Sequence, residues 1–149
     1  MEYGEGKIKR VFVLKFSHGE DLLSSLNKFV REKGISEGVL FLLGALKKGG
    51  VMAGPKESVL PPNPIWRAFT ETHELLAVGT VYIYEENNEP RLHIHTAAGR
   101  DNSTLVGCLR ETAQVFLIVE GVLLEFEGTG AIRSLDKESA NAVLSFKKP

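Results

Sequence analysis

Two histidines and the only cysteine of the chain have the residue types and spacing of a metal site. His93 and His95 stand two residues apart, and Cys108 follows 13 residues after the second. Side chains alternate between the faces of a β-strand, so both imidazoles lie on one face and Ile94 lies on the other. The turn-forming residues 99–103 allow the next strand to fold back and bring Cys108 beside the histidines. Two imidazoles and a thiolate form a three-ligand set for zinc or a similar divalent metal, with a fourth position open.

The same pattern has a simpler interpretation, which the residues alone leave open. Two histidines on one strand face can bond only to water or to backbone carbonyls at a solvated or subunit surface. A single cysteine in a cytosolic chain is most often an unreactive, buried small hydrophobic residue. Spacing alone therefore does not decide between a metal site and a polar patch.

Three charged residues are candidates for a role beside such a metal. A carboxylate can act as a general base on metal-bound water, which makes Glu71 and Glu74 candidates. Because His73 adjoins Glu74 and adjacent strand residues point to opposite faces, at most one of those two side chains faces a site. Arg110 can hold an anionic substrate. Of these three residues, Glu74 and Arg110 are the candidates for a catalytic role. The alternative for each of the three is an ordinary charged residue at the surface.

Length and composition indicate one globular domain over residues 1–149. Of these residues 43% are hydrophobic and 25% are charged, which is typical of a soluble protein with a full hydrophobic core. The formal net charge is −1, whereas proteins that bind nucleic acid through phosphates usually have a basic excess. One cysteine excludes an intramolecular disulfide, and the sequence has neither a signal-type N-terminus nor a membrane-length apolar stretch. We therefore expect a cytoplasmic protein with no membrane partner and no tight direct binding to DNA.

The hydrophobic pattern predicts an α+β fold, with one main helix packed on a mostly antiparallel or mixed β-sheet. The helix is predicted over residues 19–33, because apolar residues recur there at helical spacing, acids occupy its first turn and Gly34 ends it. Strands are predicted at residues 8–16, 38–46, 51–53, 65–69, 74–84, 91–98, 104–110, 115–126 and 143–146.

The connections between these strands are predicted from glycine and proline. Gly44 inside a strand indicates a bulge or a close backbone approach. Residues 47–50 are predicted to turn the chain. Residues 55–64 contain four of the six prolines and are predicted as an exposed loop. Residues 137–142 are predicted as a turn or a short helix.

Several short strings, in order along residues 8–127, resemble one known family. They are Gly19-Glu20-Asp21, Leu43-Gly44-Ala45-Leu46, Leu92-His93-Ile94-His95 and Val106-Gly107-Cys108-Leu109. On these strings the chain resembles the PPC domain, the plants and prokaryotes conserved domain. The resemblance implies a compact α/β subunit that assembles as a homotrimer, with a fold similar to that of acetolactate decarboxylase.

The resemblance also bears on the metal. Acetolactate decarboxylase holds its metal through a His-x-His pair and a distant histidine, and many PPC members have His-x-His followed by Gly-Gly-His. His93 and His95 match the pair, while Cys108 stands where the third histidine would be. Since cysteine is a competent zinc ligand, the resemblance implies either a site at these three residues or a subgroup that has lost or changed the metal.

Two functions are consistent with this sequence. Plant members of the family join the domain to AT-hook segments that bind A/T-rich DNA, and prokaryotic members are often described as candidate DNA-binding proteins. This chain has no Arg-Gly-Arg-Pro core of an AT-hook. We therefore expect a homotrimer with a divalent-metal or small-ligand site. If the protein is an enzyme, we expect a metal-assisted reaction on a small oxygen-rich or carbonyl-containing molecule. The alternative is a non-enzymatic module that associates with DNA or with a DNA-binding partner.

Overall fold

The computed structural model describes residues 1–147, within which the chain forms one α-helix and eight β-strands. Helix α1 spans Leu22–Glu32. The strands are β1 Lys7–Ser17, β2 Glu37–Pro55, β3 Pro64–Phe69, β4 His73–Tyr84, β5 Glu89–Arg100, β6 Ser103–Glu127, β7 Ala131–Asp136 and β8 Asn141–Phe146. The predicted α+β class is confirmed. Within residues 1–147, no helix is both long enough and apolar enough to cross a bilayer.

All eight strands join one sheet, which is antiparallel except at one contact. The order is β3-β2-β6-β5-β4-β7-β8, and β1 pairs with β6. Because β2 also pairs with β4, strands β2, β6, β5 and β4 form a closed circuit of hydrogen-bonded neighbours. The exception is the parallel contact between β4 and β7, where Tyr84 pairs with Arg133. That contact attaches the β7–β8 hairpin to the end of β4.

Helix α1 covers one face of the sheet with the apolar stripe that its sequence predicts. Leu22, Leu26 and Val30 recur at helical spacing and are fully buried. Asp21 is the N-cap, since its carboxylate accepts a hydrogen bond at 2.8 Å from the backbone N–H three residues on. The helix therefore begins at Leu22, later than predicted, and its first turn holds no acid because Asp21 caps it instead. Gly34, with φ of +62°, follows the helix end as predicted.

Strand β2 continues through the segment predicted as a turn. Residues 47–50 are strand, and Gly49 pairs with Phe69 of β3. The prediction was wrong because this glycine serves packing: a Cβ at position 49 would run into the Phe69 ring. The bulge predicted at Gly44 is present, with φ of +143° and a shift in the register between β2 and β6 directly after it.

Strand β6 is one element of 25 residues where the sequence predicts two strands, 104–110 and 115–126. Glu111 and Leu117 have positive φ, and the register of β6 with β2 shifts at three places. The polar residues between the two predicted strands are therefore irregularities within one strand. Such bulges bend a strand and increase its twist. Strand β6 pairs with β1, β2 and β5 along its length, and these bends allow it to do so.

The remaining connections are close to their predictions, with one strand missed. Residues 56–63 form the predicted loop between β2 and β3, and residues 137–140 form a turn between β7 and β8. Strand β7 was not predicted, and β8 begins at Asn141 rather than at residue 143.

The two faces of the sheet differ in what covers them. Ile94 of β5 and Leu109 of β6 belong to the core cluster that includes the buried side of α1. The opposite face carries seven apolar side chains that are between 39% and 84% exposed, namely Val13, Phe41, Leu43, Leu76, Val78, Val106 and Val122. We call these seven residues the open apolar face. They line a depression of about 730 Å³, which His95 also borders.

Candidate metal and ligand site

The histidine pair lies on the face of β5 that is turned away from the core. Ile94 between them is 2% exposed and packs in the core, whereas His95 is exposed. The Nε2 atoms of His93 and His95 are 3.1 Å apart, and the ring planes are nearly perpendicular at 80°. At that distance the N–H of one ring donates a hydrogen bond to the unprotonated nitrogen of the other, and the tautomers decide which ring is the donor. Two imidazole nitrogens therefore converge on one point.

Cys108 reaches this point through the β5–β6 hairpin. A turn at residues 101–102 folds β6 back, and His95 and Cys108 are direct antiparallel partners. Directly opposed residues of antiparallel strands place their side chains on the same face. The Cys108 Sγ and one ring nitrogen each of His93 and His95 all lie within 4.8 Å of one another. The structure thus brings together the three residues predicted as metal ligands.

Cys108 is enclosed on its other side by β2. It is 1% exposed, and Met52 of β2 is its pairing partner there. Gly107 permits this close approach, because a Cβ at that position would clash with the carbonyl oxygen of Met52. The thiol is not part of the core cluster under α1, to which Leu109 contributes instead. Glycine at position 107 therefore allows β2 to pack closely beside Cys108.

Burial and nearby positive charge keep the His93 imidazole neutral. Burial is the main cause of a pKa lowered from 6.5 to about 4, and the further causes are the charges of Arg133, His95, Arg110 and Arg91. At neutral pH one nitrogen of the ring is therefore unprotonated. Neutral imidazole is the form that binds a metal or accepts a hydrogen bond.

The pKa of the Cys108 thiol is shifted upward, whereas that of His93 is shifted downward. Burial raises the pKa of this thiol, and Arg110 offsets part of that effect through its charge and a hydrogen bond. The sulfur therefore carries its proton at neutral pH when nothing binds it. A metal ligand must be a thiolate, so metal binding at Cys108 would release a proton.

A cavity of about 570 Å³ opens beside the histidines, and residues of the β7–β8 hairpin form part of its wall. Three arginines, Arg91, Arg110 and Arg133, line its polar side. The apolar side is formed by Met52, Leu92, Val143 and Leu144. The volume is in the range of pockets that hold small molecules. His93 and His95 therefore line a cavity in which an organic molecule fits, and the buried Cys108 lies behind them.

The two catalytic candidates from the sequence have different positions. Arg110 lines the cavity, two residues from Cys108 on the same face of β6. Glu74 lies away from the site, because its pairing partner on β5 is Gly99. Gly99 is four residues beyond His95, so at the usual strand rise the two are about 13 Å apart along β5. Glu71 forms an ion pair with Arg100 at 3.5 Å. The assignment of Glu74 as a base beside the histidines is therefore corrected.

Two arginines of the cavity were missed from the sequence. Arg91 lies two residues before His93 on β5, so strand alternation alone was a sufficient signal for its place on the site face. Arg133 comes from the unpredicted β7 and reaches the cavity through the parallel contact with Tyr84. No local pattern indicates a parallel contact between such distant segments.

Comparison with known proteins identifies a family over most of the chain. A family model described as the Plants and Prokaryotes Conserved (PCC) domain matches residues 3–127. None of the curated protein sequences matches this chain.

Several solved structures share the fold over nearly their full length. A metal-containing protein from Archaeoglobus fulgidus has a TM-score of 0.84 and 23% identity, with 99% of this chain and 100% of that chain covered. A plant- and prokaryote-conserved protein from Pyrococcus horikoshii has a TM-score of 0.82 and 22% identity, with the same coverage. A protein from Bacteroides thetaiotaomicron, described as a candidate DNA-binding protein, has a TM-score of 0.79 and 22% identity, with coverage of 98% and 99%. At these identities the likeness establishes a common fold.

Proposed function

This chain belongs to the Plants and Prokaryotes Conserved domain family, and on that premise we propose that it is a metal-binding protein with a divalent ion at His93, His95 and Cys108. The observation that carries the proposal is the convergence of three ligand atoms within 4.8 Å, beside a cavity of small-molecule size. The structurally similar protein from Archaeoglobus fulgidus is described as metal-containing, which supports the proposal.

The donor set fits zinc better than a hard cation. Two imidazole nitrogens and one sulfur are the ligands of borderline and soft metals, whereas magnesium and calcium are bound by oxygen. Among the described residues the ligand group contains no carboxylate. Three protein ligands leave a fourth position for water or substrate, which is the arrangement of catalytic rather than structural zinc sites. We therefore propose zinc as the resident ion.

The surrounding residues suit a reaction of a small oxygen-rich or carbonyl-containing molecule. A bound ion would polarise a substrate oxygen or lower the pKa of a bound water. His93 is held neutral by burial and by the arginine charges, so it is ready to act as a ligand at neutral pH. Arg110, beside Cys108, can orient a negatively charged group of the substrate. Met52 and Leu144 give part of the cavity wall an apolar surface.

Cobalt substitution tests this proposal directly. Cobalt(II) bound through a thiolate gives an intense sulfur-to-cobalt absorption band, which cobalt bound through histidines alone lacks. We expect that band in the wild-type protein and its loss in Cys108→Ser, whereas His18→Ala, which alters an exposed histidine outside the site, should retain it. Cobalt binding by the wild-type protein without this absorption band would show that Cys108 is not a ligand. Wild-type protein that binds no cobalt would contradict the metal site.

We also propose that the protein is a homotrimer in the cytoplasm and that the open apolar face is its subunit contact. Soluble monomers rarely expose contiguous apolar patches of this kind, and Val13 and Leu76 are 84% and 68% exposed. His95 borders the same depression, so subunit contact there would enclose His95 further. The free thiol of Cys108 suits a reducing compartment.

The alternative function is a non-enzymatic module that acts on DNA or through a DNA-binding partner. Its support is the description of similar proteins, such as the one from Bacteroides thetaiotaomicron, as candidate DNA-binding proteins. The basic residues at the start of β1 do not favour it. Lys7 pairs with Glu127 at 3.0 Å, and both Lys9 and Arg10 pair with the buried Glu125. Two acidic partners therefore offset most of the positive charge of these three residues, which phosphates would need.

A further inference from the structure

The cavity beside the histidines is positively charged and holds no compensating acid. Arg91, Arg110 and Arg133 line it, and its other lining residues include neither aspartate nor glutamate. Among residues 1–147, none of these three arginines takes part in an ion pair with a carboxylate. The cavity therefore concentrates positive charge in a partly enclosed space, where counter-ions are attracted more strongly than at an open surface.

Arg133 is the most informative of the three arginines, because it is buried. It is 5% exposed, and its guanidinium donates to the Ala142 carbonyl at 3.2 Å and to the Thr80 hydroxyl at 2.9 Å. Its Nε–H has no hydrogen-bond partner among the described residues. The Tyr82 ring, 5.8 Å from the guanidinium carbon, is the remaining stabilising neighbour. A buried cation with only neutral partners is costly, since its charge is not compensated.

Elsewhere the same fold pairs its buried charge. Glu125 is 1% exposed and forms ion pairs with both Arg10 and Lys9. The buried charge of Arg133 therefore differs from that of Glu125 in having no oppositely charged partner among the described residues. Burial, together with repulsion from Arg91 and Arg110, lowers the pKa of Arg133, and the charge of a bound anion would offset that loss of stability of the cation.

From this arrangement we propose that the cavity binds a small organic carboxylate, its negative head held by Arg91, Arg110 and Arg133. This deepens the proposed function, on which it rests, by naming the class of molecule that would meet the metal. A carboxylate is planar and carries two oxygens that match the paired N–H groups of a guanidinium. The apolar wall of Met52 and Leu144 accepts a short carbon chain, which favours an organic acid over inorganic phosphate.

Binding of carboxylates to the metal-free protein tests this inference apart from the metal. Isothermal titration calorimetry of chelator-treated full-length protein would use acetate, pyruvate, lactate, hexanoate and inorganic phosphate, with methyl pyruvate as an uncharged control. We expect saturable binding of at least one carboxylate with a dissociation constant of about 10 mM or tighter, and none of methyl pyruvate. Arg110→Met and Arg133→Met should each weaken binding roughly tenfold or more, because each removes a charge-assisted contact. Arg67→Met, at an exposed position on β3 outside the cavity, should leave binding unchanged.

The outcomes separate this inference from the metal proposal. Absence of binding by every carboxylate, or equal binding by wild type and Arg110→Met, would overturn the anion site even if the protein carries metal. Binding of phosphate without binding of any carboxylate would overturn the choice of ligand class. Carboxylate binding that depends on Arg110 would uphold the inference even if elemental analysis found no metal. Because Arg133 is buried, Arg110→Met decides the result if Arg133→Met does not fold.

Discussion

His95 and Cys108 are direct partners across the antiparallel pair of β5 and β6, so their side chains project from the same face of the sheet. A slip of one residue in the register between these strands would turn Cys108 towards the core and away from the histidines. The candidate metal site therefore depends on strand register. That register is supported on the other side of Cys108 by β2, where Met52 pairs with the cysteine.

Gly107→Ala should reduce both stability and metal affinity. The added methyl group would clash with the Met52 carbonyl oxygen and push β2 away from Cys108. Overpacking of this kind costs about 1–3 kcal/mol in the free energy of unfolding. Urea denaturation of the metal-free protein measures that free energy, and cobalt titration measures the affinity.

Gly99→Ala is the matched control for this change. Gly99 lies on the neighbouring strand β5, and the nearest atom to an added Cβ is the Thr104 hydroxyl oxygen at 3.8 Å, an ordinary contact. Its stability and cobalt affinity should stay close to those of the wild type. Equal losses in the two variants would show that Gly107 has no special role.

Local patterns in the sequence predicted the helix and the histidine strand correctly. Leu22, Leu26 and Val30 lie on one helix face because helical periodicity requires it, and alternation places His93 and His95 together on β5. The hairpin that returns Cys108 was also predictable, because turn residues separate it from the histidines. These features depend on short stretches of chain.

Features that depend on distant contacts were not predictable in this way. Gly49 is a strand residue rather than a turn residue because Phe69, twenty positions away, lies across it. Arg133 joins the cavity only through the contact of β7 with the end of β4. Glu74 was placed beside the histidines by its strand, but its register puts it opposite Gly99. In each case the decisive information is the pairing of one strand with another.

The pH dependence of the metal-free protein should show the lowered pKa of His93. Between pH 6.5 and about 4 the unfolded chain binds a proton at this residue and the folded chain does not. The free energy of unfolding should therefore fall as the pH drops through that window. NMR titration of the imidazole should give a midpoint near pH 4 for His93, and His93→Asn should flatten the stability profile there. A midpoint near 6.5 would contradict the electrostatic account of the site.

Leu76→Glu should dissociate the proposed trimer. This side chain is 68% exposed and lies in the open apolar face, so a charge there would disrupt subunit contact and leave the core of each subunit intact. Light scattering should give three chain masses for the wild type and one for the variant. Leu135→Glu, at an exposed position of β7 outside that face, should remain trimeric. A wild-type protein that stays monomeric at micromolar concentrations would rule out the assembly.

Duplex DNA should bind weakly at physiological salt. The net charge is −1, and Lys7, Lys9 and Arg10 already have acidic partners. Direct binding to phosphates would weaken steeply as salt rises. Titration of a labelled duplex at two salt concentrations should show no sub-micromolar complex. A tight complex that salt disrupts would favour the DNA-associated alternative.

Elemental analysis of the purified protein, with chain concentration measured on the same sample, tests the metal site most directly. We expect close to one divalent ion per chain in the wild type and in His18→Ala. The double variant His93→Ala with His95→Ala should carry none, while its circular dichroism remains that of the wild type, because both side chains face away from the core that Ile94 enters. A folded wild-type protein without metal, after purification with zinc and without chelators, would contradict the account. So would a double variant that retains its full complement of metal.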